Sequence, residues 1–115
     1  MESKITKLPE DVTTLLEDGK MLLFIIQTCP YCHEAMRLLN SKGVEYEWIA
    51  CDKLGITENQ RNQFLKLTGA RSYPRIFIGK TCIGGCDDLR SLEVTEKLDS
   101  MLAQNKIKVK GTSKL

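Results

Sequence analysis

The sequence lacks any apolar run long enough to cross a bilayer. Its longest run, residues 21–26, is far shorter than the roughly 20 residues that a transmembrane helix needs. An excess of charge of one sign is also missing, since 17 Lys and Arg stand against 15 Asp and Glu. Such a nearly equal number of positive and negative residues does not favour nucleic acid or a membrane surface as the main partner, and we expect neither.

The first twenty residues lack the features of a targeting peptide. They contain five acidic residues, whereas organelle transit peptides are poor in acids and secretory signals need an early apolar core. The chain has five cysteines, an odd number that cannot form a fully paired disulfide framework. A reducing compartment is therefore the simpler setting, and we expect a cytoplasmic protein whose thiols are chemical rather than structural.

The carboxy-terminal residues suggest a tail and a second possible location. Residues 106–115 contain four lysines and few side chains to bury, which predicts a basic flexible tail after a single domain of residues 1–105. The last three residues, Ser113-Lys114-Leu115, match a peroxisomal address. A peroxisomal location is therefore the alternative to the cytoplasm.

Apolar periodicity predicts alternating strands and helices, an α/β fold. Strands are expected at residues 21–26, 44–50, 75–79 and 81–84, the last two as a hairpin, and helices at 9–18, from Pro30 to Gly43, and at 57–68. The last of these helices has a capping-box pattern, with Thr57 followed by Gln60. Four apolar residues then repeat at helical spacing to close the domain: Val94, Leu98, Met101 and Leu102.

The segment Cys29-Pro30-Tyr31-Cys32 lies where a buried strand is followed by a helix. Unpaired N–H groups and the positive dipole end at a helix amino terminus stabilise a thiolate, so Cys29 is predicted to be a nucleophile. Cys32 lies one helical turn on, within reach of Cys29, and is predicted to be the resolving thiol. A Cys-x-x-Cys pair in this strand–helix context is typical of a redox site.

Two other interpretations of the cysteines stay open. The pair could be inert helical cysteines, or four thiols including Cys82 and Cys86 could bind zinc tetrahedrally. Pro30 and a regular helix make a poor zinc knuckle, and the second pair lies in a hairpin and a double-glycine turn. The redox interpretation is therefore favoured, with no metal.

Three motifs together, Cys29–Cys32, Ser72-Tyr73-Pro74 and Gly84-Gly85-Cys86-Asp87-Asp88-Leu89, resemble the glutaredoxin family in order and spacing. The resemblance covers about residues 9–104. It implies a thioredoxin-like fold with a central mixed four-stranded sheet flanked by helices. It also implies a glutathione-dependent thiol–disulfide oxidoreductase, with glutathione as cosubstrate and no tightly bound cofactor. The implied clients are glutathionylated or disulfide-containing proteins, ribonucleotide reductase among them, and a monomer is expected.

The resemblance also implies which residues bind glutathione. Pro74 would follow a cis peptide bond, and the backbone of Tyr73 would exchange hydrogen bonds with the glutathione cysteine. Tyr31 would flank the tripeptide, and Arg61 would face its glycine carboxylate. For Arg61 an ordinary exposed helix arginine is an equally good explanation.

The γ-glutamyl end would bind after Gly85. The N–H groups of Cys86 and Asp87 would hold its carboxylate, and the side chain of Asp87 or Asp88 its ammonium. An acidic helix cap also explains these two acids, and that alternative stays open.

The chain departs from the family pattern beside the nucleophile. Many relatives carry a lysine three residues before the first cysteine, where this chain has Ile26. Arg71 and Lys20 are the nearest cations by sequence. Tyr73 is bulkier than the usual valine, and Cys51 is expected to be a quiet half-buried thiol at a strand end.

A binding module is the rival function. In that interpretation Cys29 and glutathione would hold an iron–sulfur cluster between two subunits. Pro30 disfavours it by family analogy.

Overall fold

The computed structural model describes residues 5–110. Four strands form one mixed sheet in the order β2-β1-β3-β4, with β1 parallel to β2 and antiparallel to β3, and β3 antiparallel to β4. The predicted mixed four-stranded sheet flanked by helices is confirmed. The elements, in chain order, are a 3₁₀ helix Val12–Leu15, β1 Met21–Ile25, α1 Pro30–Ser41, β2 Glu47–Ala50, α2 Cys51–Leu54, α3 Glu58–Thr68, β3 Arg75–Ile78, β4 Thr81–Gly84, α4 Cys86–Val94 and α5 Leu98–Gln104.

Strand β1 is buried along its whole length because both faces of the sheet are covered. Successive side chains of a strand point to opposite faces. Leu23 and Ile25 therefore pack with α1, α4 and α5, whereas Leu22 and Phe24 pack with α3 and the amino-terminal segment. Neither face of β1 is solvated, which explains why this strand is an unbroken apolar run.

The predicted helix over residues 9–18 is wrong, because only the 3₁₀ helix Val12–Leu15 forms there. The polar backbone of this segment is satisfied by side chains of α3 instead of by a helix of its own. Gln60 donates to the carbonyl of Pro9 (2.9 Å), and the side-chain oxygen of Gln63 accepts from the first N–H of the 3₁₀ helix (2.8 Å). The segment is thereby held against α3.

The strand predicted over residues 44–50 is shorter than expected, since β2 covers only Glu47–Ala50. Val44 pairs instead with Val109 as an isolated antiparallel bridge. The small element α2, directly after β2, was not predicted. It turns the chain at the carboxyl end of the sheet and makes Cys51 its first residue.

Residues 106–110 pack into the fold, so the prediction that they bury little is wrong. Ile107 is buried in the core cluster that contains Leu102. The carbonyl of Lys108 accepts a hydrogen bond from Glu45 (2.9 Å). The rest of the predicted tail, including Ser113-Lys114-Leu115, lies outside the described residues.

Two helices, rather than one continuous apolar stripe, close the domain. Helix α4 ends at Val94, whose side chain is 80% exposed, so its predicted place on the apolar face is wrong. Glu96 has a positive φ of 61° in the connection to α5. Leu98 and Leu102 are buried as predicted.

The predicted 57–68 helix and its capping box are confirmed. Thr57 caps α3 by accepting from the N–H of Gln60 (3.1 Å), and the Gln60 side chain accepts from the N–H of Thr57 (2.8 Å). Across residues 5–110 we find no helix whose length and apolar character would let it span a membrane.

Candidate active site

The two thiols of the Cys-x-x-Cys motif lie at the junction of β1 and α1. Cys29 is the N-cap residue of α1 and Pro30 is its first helical residue. No side chain caps the helix there, so its first N–H groups are available to a negative charge. The predicted position of Cys29 at a helix amino terminus is confirmed.

Burial separates the two thiols. Cys29 is half-buried, whereas Cys32 has no solvent-exposed surface. Burial, with a smaller contribution from the neighbouring Cys29 sulfur, raises the pKa of Cys32 to about 12. Cys32 therefore stays protonated near neutral pH, whereas Cys29 is the thiol that a substrate can reach.

The second motif lies directly against the first. The Tyr73–Pro74 peptide bond is cis, as the resemblance implied. The Sγ of Cys29 lies 3.6 Å from the carbonyl oxygen of Tyr73, although the two residues are 44 positions apart. The backbone of the cis-proline turn therefore lies beside the reactive sulfur.

The side chain of Tyr73 reaches a third thiol. It packs against both core clusters, and its hydroxyl acts on the Cys51 thiol so as to lower the pKa of that thiol. Cys51 is almost fully buried rather than half-buried as expected. Burial outweighs this effect and raises the pKa of Cys51 to about 12, and burial also raises the pKa of Tyr73.

The third motif forms the start of α4. The N–H of Gly85 donates to Asp88 (2.9 Å), and a side chain at Gly84, where φ is 112°, would collide with that carboxylate. Asp88 thus acts as an acidic cap. The Asp87 side chain is 91% exposed and ion-paired with Arg90 (3.2 Å). As in any helix, the first backbone N–H groups of α4 have no intrahelical acceptor.

The second cysteine pair does not converge with the first. Cys82 packs on the face of the sheet that contains Phe77, whereas Cys86 packs on the opposite face with Leu89. Burial raises the pKa of Cys86, although Arg90 at 3.6 Å from its sulfur opposes the effect. Within residues 5–110 no group of three or more His, Cys, Asp or Glu side chains is arranged to bind a metal, so the four-cysteine zinc interpretation is wrong.

The comparisons with known proteins agree with this geometry. The family model for glutaredoxin matches residues 21–83, more than half of the chain. The chain belongs to the glutaredoxin family. It is 39% identical over 98 residues to human glutaredoxin-1, covering 83% of this chain and 92% of that protein. A Pseudomonas aeruginosa glutaredoxin is 42% identical over 83 residues, covering 72% of this chain and 95% of that protein.

Solved structures of glutaredoxins have the same fold. A dithiolic glutaredoxin of Trypanosoma brucei brucei has a TM-score of 0.70 at 32% identity, covering 79% of this chain and 94% of that one. A buckwheat glutaredoxin–glutathione complex has a TM-score of 0.72 at 27% identity, covering 83% and 84%. The thioredoxin-like fold predicted from the motifs is therefore confirmed.

This glutaredoxin has Ile26 where many relatives have a lysine beside the nucleophile. The structure shows which of the cations nearest in sequence could take the place of that lysine. Lys20 precedes β1 and Cys29 follows it, so a strand about 16 Å long separates them and Lys20 is excluded. Arg71 is exposed in the loop before Tyr73. Ile26 is half-buried directly after β1.

Tyr31 and Arg61, the remaining predicted residues, are both exposed. Tyr31 is 56% exposed on the first turn of α1. Arg61 is exposed on the first turn of α3, and its charge acts on the Tyr73 hydroxyl. A ring nitrogen of His33 lies 2.6 Å from the Gln27 carbonyl and links the helix to the loop before Cys29.

Sequence analysis missed Arg75 at this site. It is the first residue of β3, directly after Pro74, and its side chain is buried. Its Nε donates to the carbonyl of Pro74 (3.1 Å), and one terminal nitrogen lies 3.4 Å from the Ser72 hydroxyl. The available signal was a single arginine at the head of an apolar strand.

Proposed function

We propose that this glutaredoxin uses glutathione to reduce protein disulfides and protein–glutathione mixed disulfides. One observation carries the proposal: a reachable thiol at a helix amino terminus, Cys29, stands in front of a fully buried and protonated one, Cys32. Disulfide exchange needs a nucleophile that substrates reach and a second thiol that acts only after the first has reacted.

With a protein–glutathione disulfide, the Cys29 thiolate attacks the glutathione sulfur. The bond between the two substrate sulfurs breaks, and the protein leaves as a thiolate that takes up a proton. Cys29 is left bonded to glutathione. A second glutathione thiolate then attacks that glutathione sulfur, which frees Cys29 and forms oxidised glutathione.

With a protein disulfide, Cys29 first becomes bonded to the protein. Cys32 loses its proton and attacks the Cys29 sulfur, which releases the reduced protein and leaves a Cys29–Cys32 disulfide. Two glutathiones then reduce that disulfide in succession. Only this route needs Cys32.

Glutathione would bind as a cosubstrate in the groove that the three motifs line. The backbone of Tyr73 and cis-Pro74 supports its cysteine beside Cys29, and Tyr31 flanks it. The start of α4, with Gly85, Cys86, Asp87 and Asp88, would bind the γ-glutamyl end, and Arg61 the glycine carboxylate. The chemistry needs no tightly bound cofactor.

Clients, assembly and location are further parts of the proposal. Disulfide-containing and glutathionylated proteins fit the half-exposed Cys29, with ribonucleotide reductase as one client to assay, and a monomer suffices because the groove is formed within one chain. A cytoplasmic location is proposed, with the peroxisome as the alternative. A fluorescent fusion at the amino terminus, with and without Leu115, separates the two locations.

A coupled assay tests the function. The cysteine–glutathione mixed disulfide is supplied as substrate with glutathione, glutathione reductase and NADPH, and NADPH consumption is followed. Turnover that depends on Cys29 supports the proposal, and its absence contradicts it. An iron–sulfur absorbance spectrum in anaerobically purified protein without turnover would favour the cluster-binding alternative.

A further inference from the structure

Arg75 carries a positive charge that the fold buries without an acidic partner. Its side chain is 7% exposed, and no Asp or Glu of residues 5–110 forms an ion pair with it. A guanidinium has five N–H donors, yet its contacts are with the Pro74 carbonyl and the Ser72 hydroxyl. Burying an unpaired cation is costly unless an anion completes the site.

The guanidinium lies against the N-cap of α4. One of its terminal nitrogens is 3.0 Å from the point that a Cβ on Gly85 would occupy, and the Pro74 carbonyl is 3.3 Å from the same point. Because Gly85 has no side chain, the guanidinium of Arg75 can lie directly against its backbone. A larger residue there would have to displace either the guanidinium or the backbone of the cis-proline turn.

The start of α4 also presents backbone N–H groups to an anion. The nine-residue helix directs the N–H groups of its first turn and its positive dipole end towards the same region as Arg75. Neither neighbouring acid pairs with Arg75, because Asp88 accepts from the N–H of Gly85 and Asp87 is ion-paired with Arg90. A planar guanidinium beside backbone N–H groups suits a carboxylate.

We propose that Arg75 is a positioning residue that makes this glutaredoxin select γ-glutamyl thiols. It holds Gly85 and the first turn of α4 in place and adds positive charge where the α-carboxylate of the γ-glutamyl residue binds. This inference rests on the proposed use of glutathione. It goes further by assigning the discrimination between glutathione and simpler thiols to a residue outside the three motifs that bind it.

The test compares two cosubstrates in the full-length protein. Glutathione is the first, and cysteinylglycine, which keeps the thiol and the glycine but lacks the γ-glutamyl residue, is the second. We expect Arg75→Gln to raise the Michaelis constant for glutathione about ten-fold, equivalent to about 1.4 kcal/mol, with kcat within about two-fold. The rate with cysteinylglycine is expected to stay unchanged.

Two further variants separate charge from fold. Arg75→Lys keeps the charge without the planar fork, so we expect it to restore part of the preference for glutathione and leave a Michaelis constant about three-fold above wild type. Lys66→Gln removes an exposed charge from the last turn of α3. It should change neither the Michaelis constant for glutathione nor the rate with cysteinylglycine. Circular dichroism and melting temperature are measured on every variant.

The outcomes distinguish this inference from the proposed function. Equal losses with both cosubstrates would mean that Arg75 has only a structural role, and an unchanged preference for glutathione in Arg75→Gln would also overturn the inference. If Arg75→Gln does not fold, the same two cosubstrates are compared in Arg75→Lys. A higher Michaelis constant for glutathione with an unchanged rate for cysteinylglycine would support the inference, and no such selective loss would overturn it. A wild-type protein that uses both thiols equally would contradict the proposed function itself.

Discussion

The sulfur of Cys29 lies 3.6 Å from the backbone carbonyl of Tyr73. This contact brings the helix amino terminus that carries the nucleophile next to the backbone of the cis-proline turn, where we propose that glutathione binds. Cys32 lies behind them in the core. The different surroundings of the two thiols lead to separable roles.

Replacing each thiol by serine should separate the two reactions. Cys29→Ser is expected to lose all activity. Cys32→Ser is expected to lose the reduction of protein disulfides but to keep deglutathionylation, because only the first reaction needs an internal resolving thiol. Both reactions are assayed on both variants, and an equal loss of deglutathionylation in the two would refute the assignment.

Alkylation should depend on pH differently at each cysteine. Burial raises the pKa of Cys32 and of Cys51 to about 12, so both stay protonated at pH 8 and their thiolate fraction grows about ten-fold per pH unit up to that value. We expect iodoacetamide at pH 8 to label Cys29 first. Mass spectrometry of timed samples measures this, and labelling of Cys32 or Cys51 as fast as Cys29 would contradict it.

Introducing at position 26 the lysine that many relatives carry should strengthen glutathione binding modestly. Ile26 is half-buried after β1 rather than part of the core, so the new ammonium group in Ile26→Lys can reach solvent and the melting temperature should change little. A partly exposed charge contributes about 0.2 to 1 kcal/mol, so the Michaelis constant for glutathione should fall by a few-fold at most. Ile26→Gln is the uncharged control. A folded Ile26→Lys protein with unchanged glutathione dependence would show that this position does not influence binding.

Tyr73 should protect Cys51. Tyr73→Phe removes only the hydroxyl that acts on the Cys51 thiol, so at most about 1 kcal/mol of stability should be lost while the ring still covers the thiol. Tyr73→Val restores the family's usual residue and removes the ring, so Cys51 should be alkylated faster than in Tyr73→Phe. Labelling rates and urea denaturation are compared for the two variants. Equal Cys51 labelling in both would mean that the ring does not cover it.

The segment after α5 should contribute to stability. Ile107 is buried in the core, so Ile107→Ala should lower the free energy of unfolding by about 2 to 4 kcal/mol. Lys106→Ala, at an exposed position next to it, should change it by less than about 0.5 kcal/mol. Urea denaturation followed by circular dichroism measures both. Equal stabilities would show that residues 106–110 contribute little to the fold.

Features encoded within a few neighbouring residues were predicted well. The capping box of Thr57 and Gln60 and the helix that begins at Pro30 depend on contacts three or four positions apart. The hairpin around Gly79-Lys80 pairs residues that are three to eight positions apart. The Cys29–Cys32 motif belongs to this class. Its chemistry follows from a strand that ends and a helix that begins, which periodicity alone can show.

The sequence by itself therefore determined the four strands, the two long helices α1 and α3, the family and the reactive thiol pair. Tertiary structure decided the rest, because it depends on partners distant along the chain. The side chains of Gln60 and Gln63 bond the backbone of the amino-terminal segment, which forms no long helix. Val44 pairs with Val109 and so holds residues 106–110 against the fold. Arg75 became a buried charge beside α4 only because β3 carries it to Gly85. Local periodicity holds no information about such pairings, since the atoms that satisfy a buried polar group can come from any element packed against it.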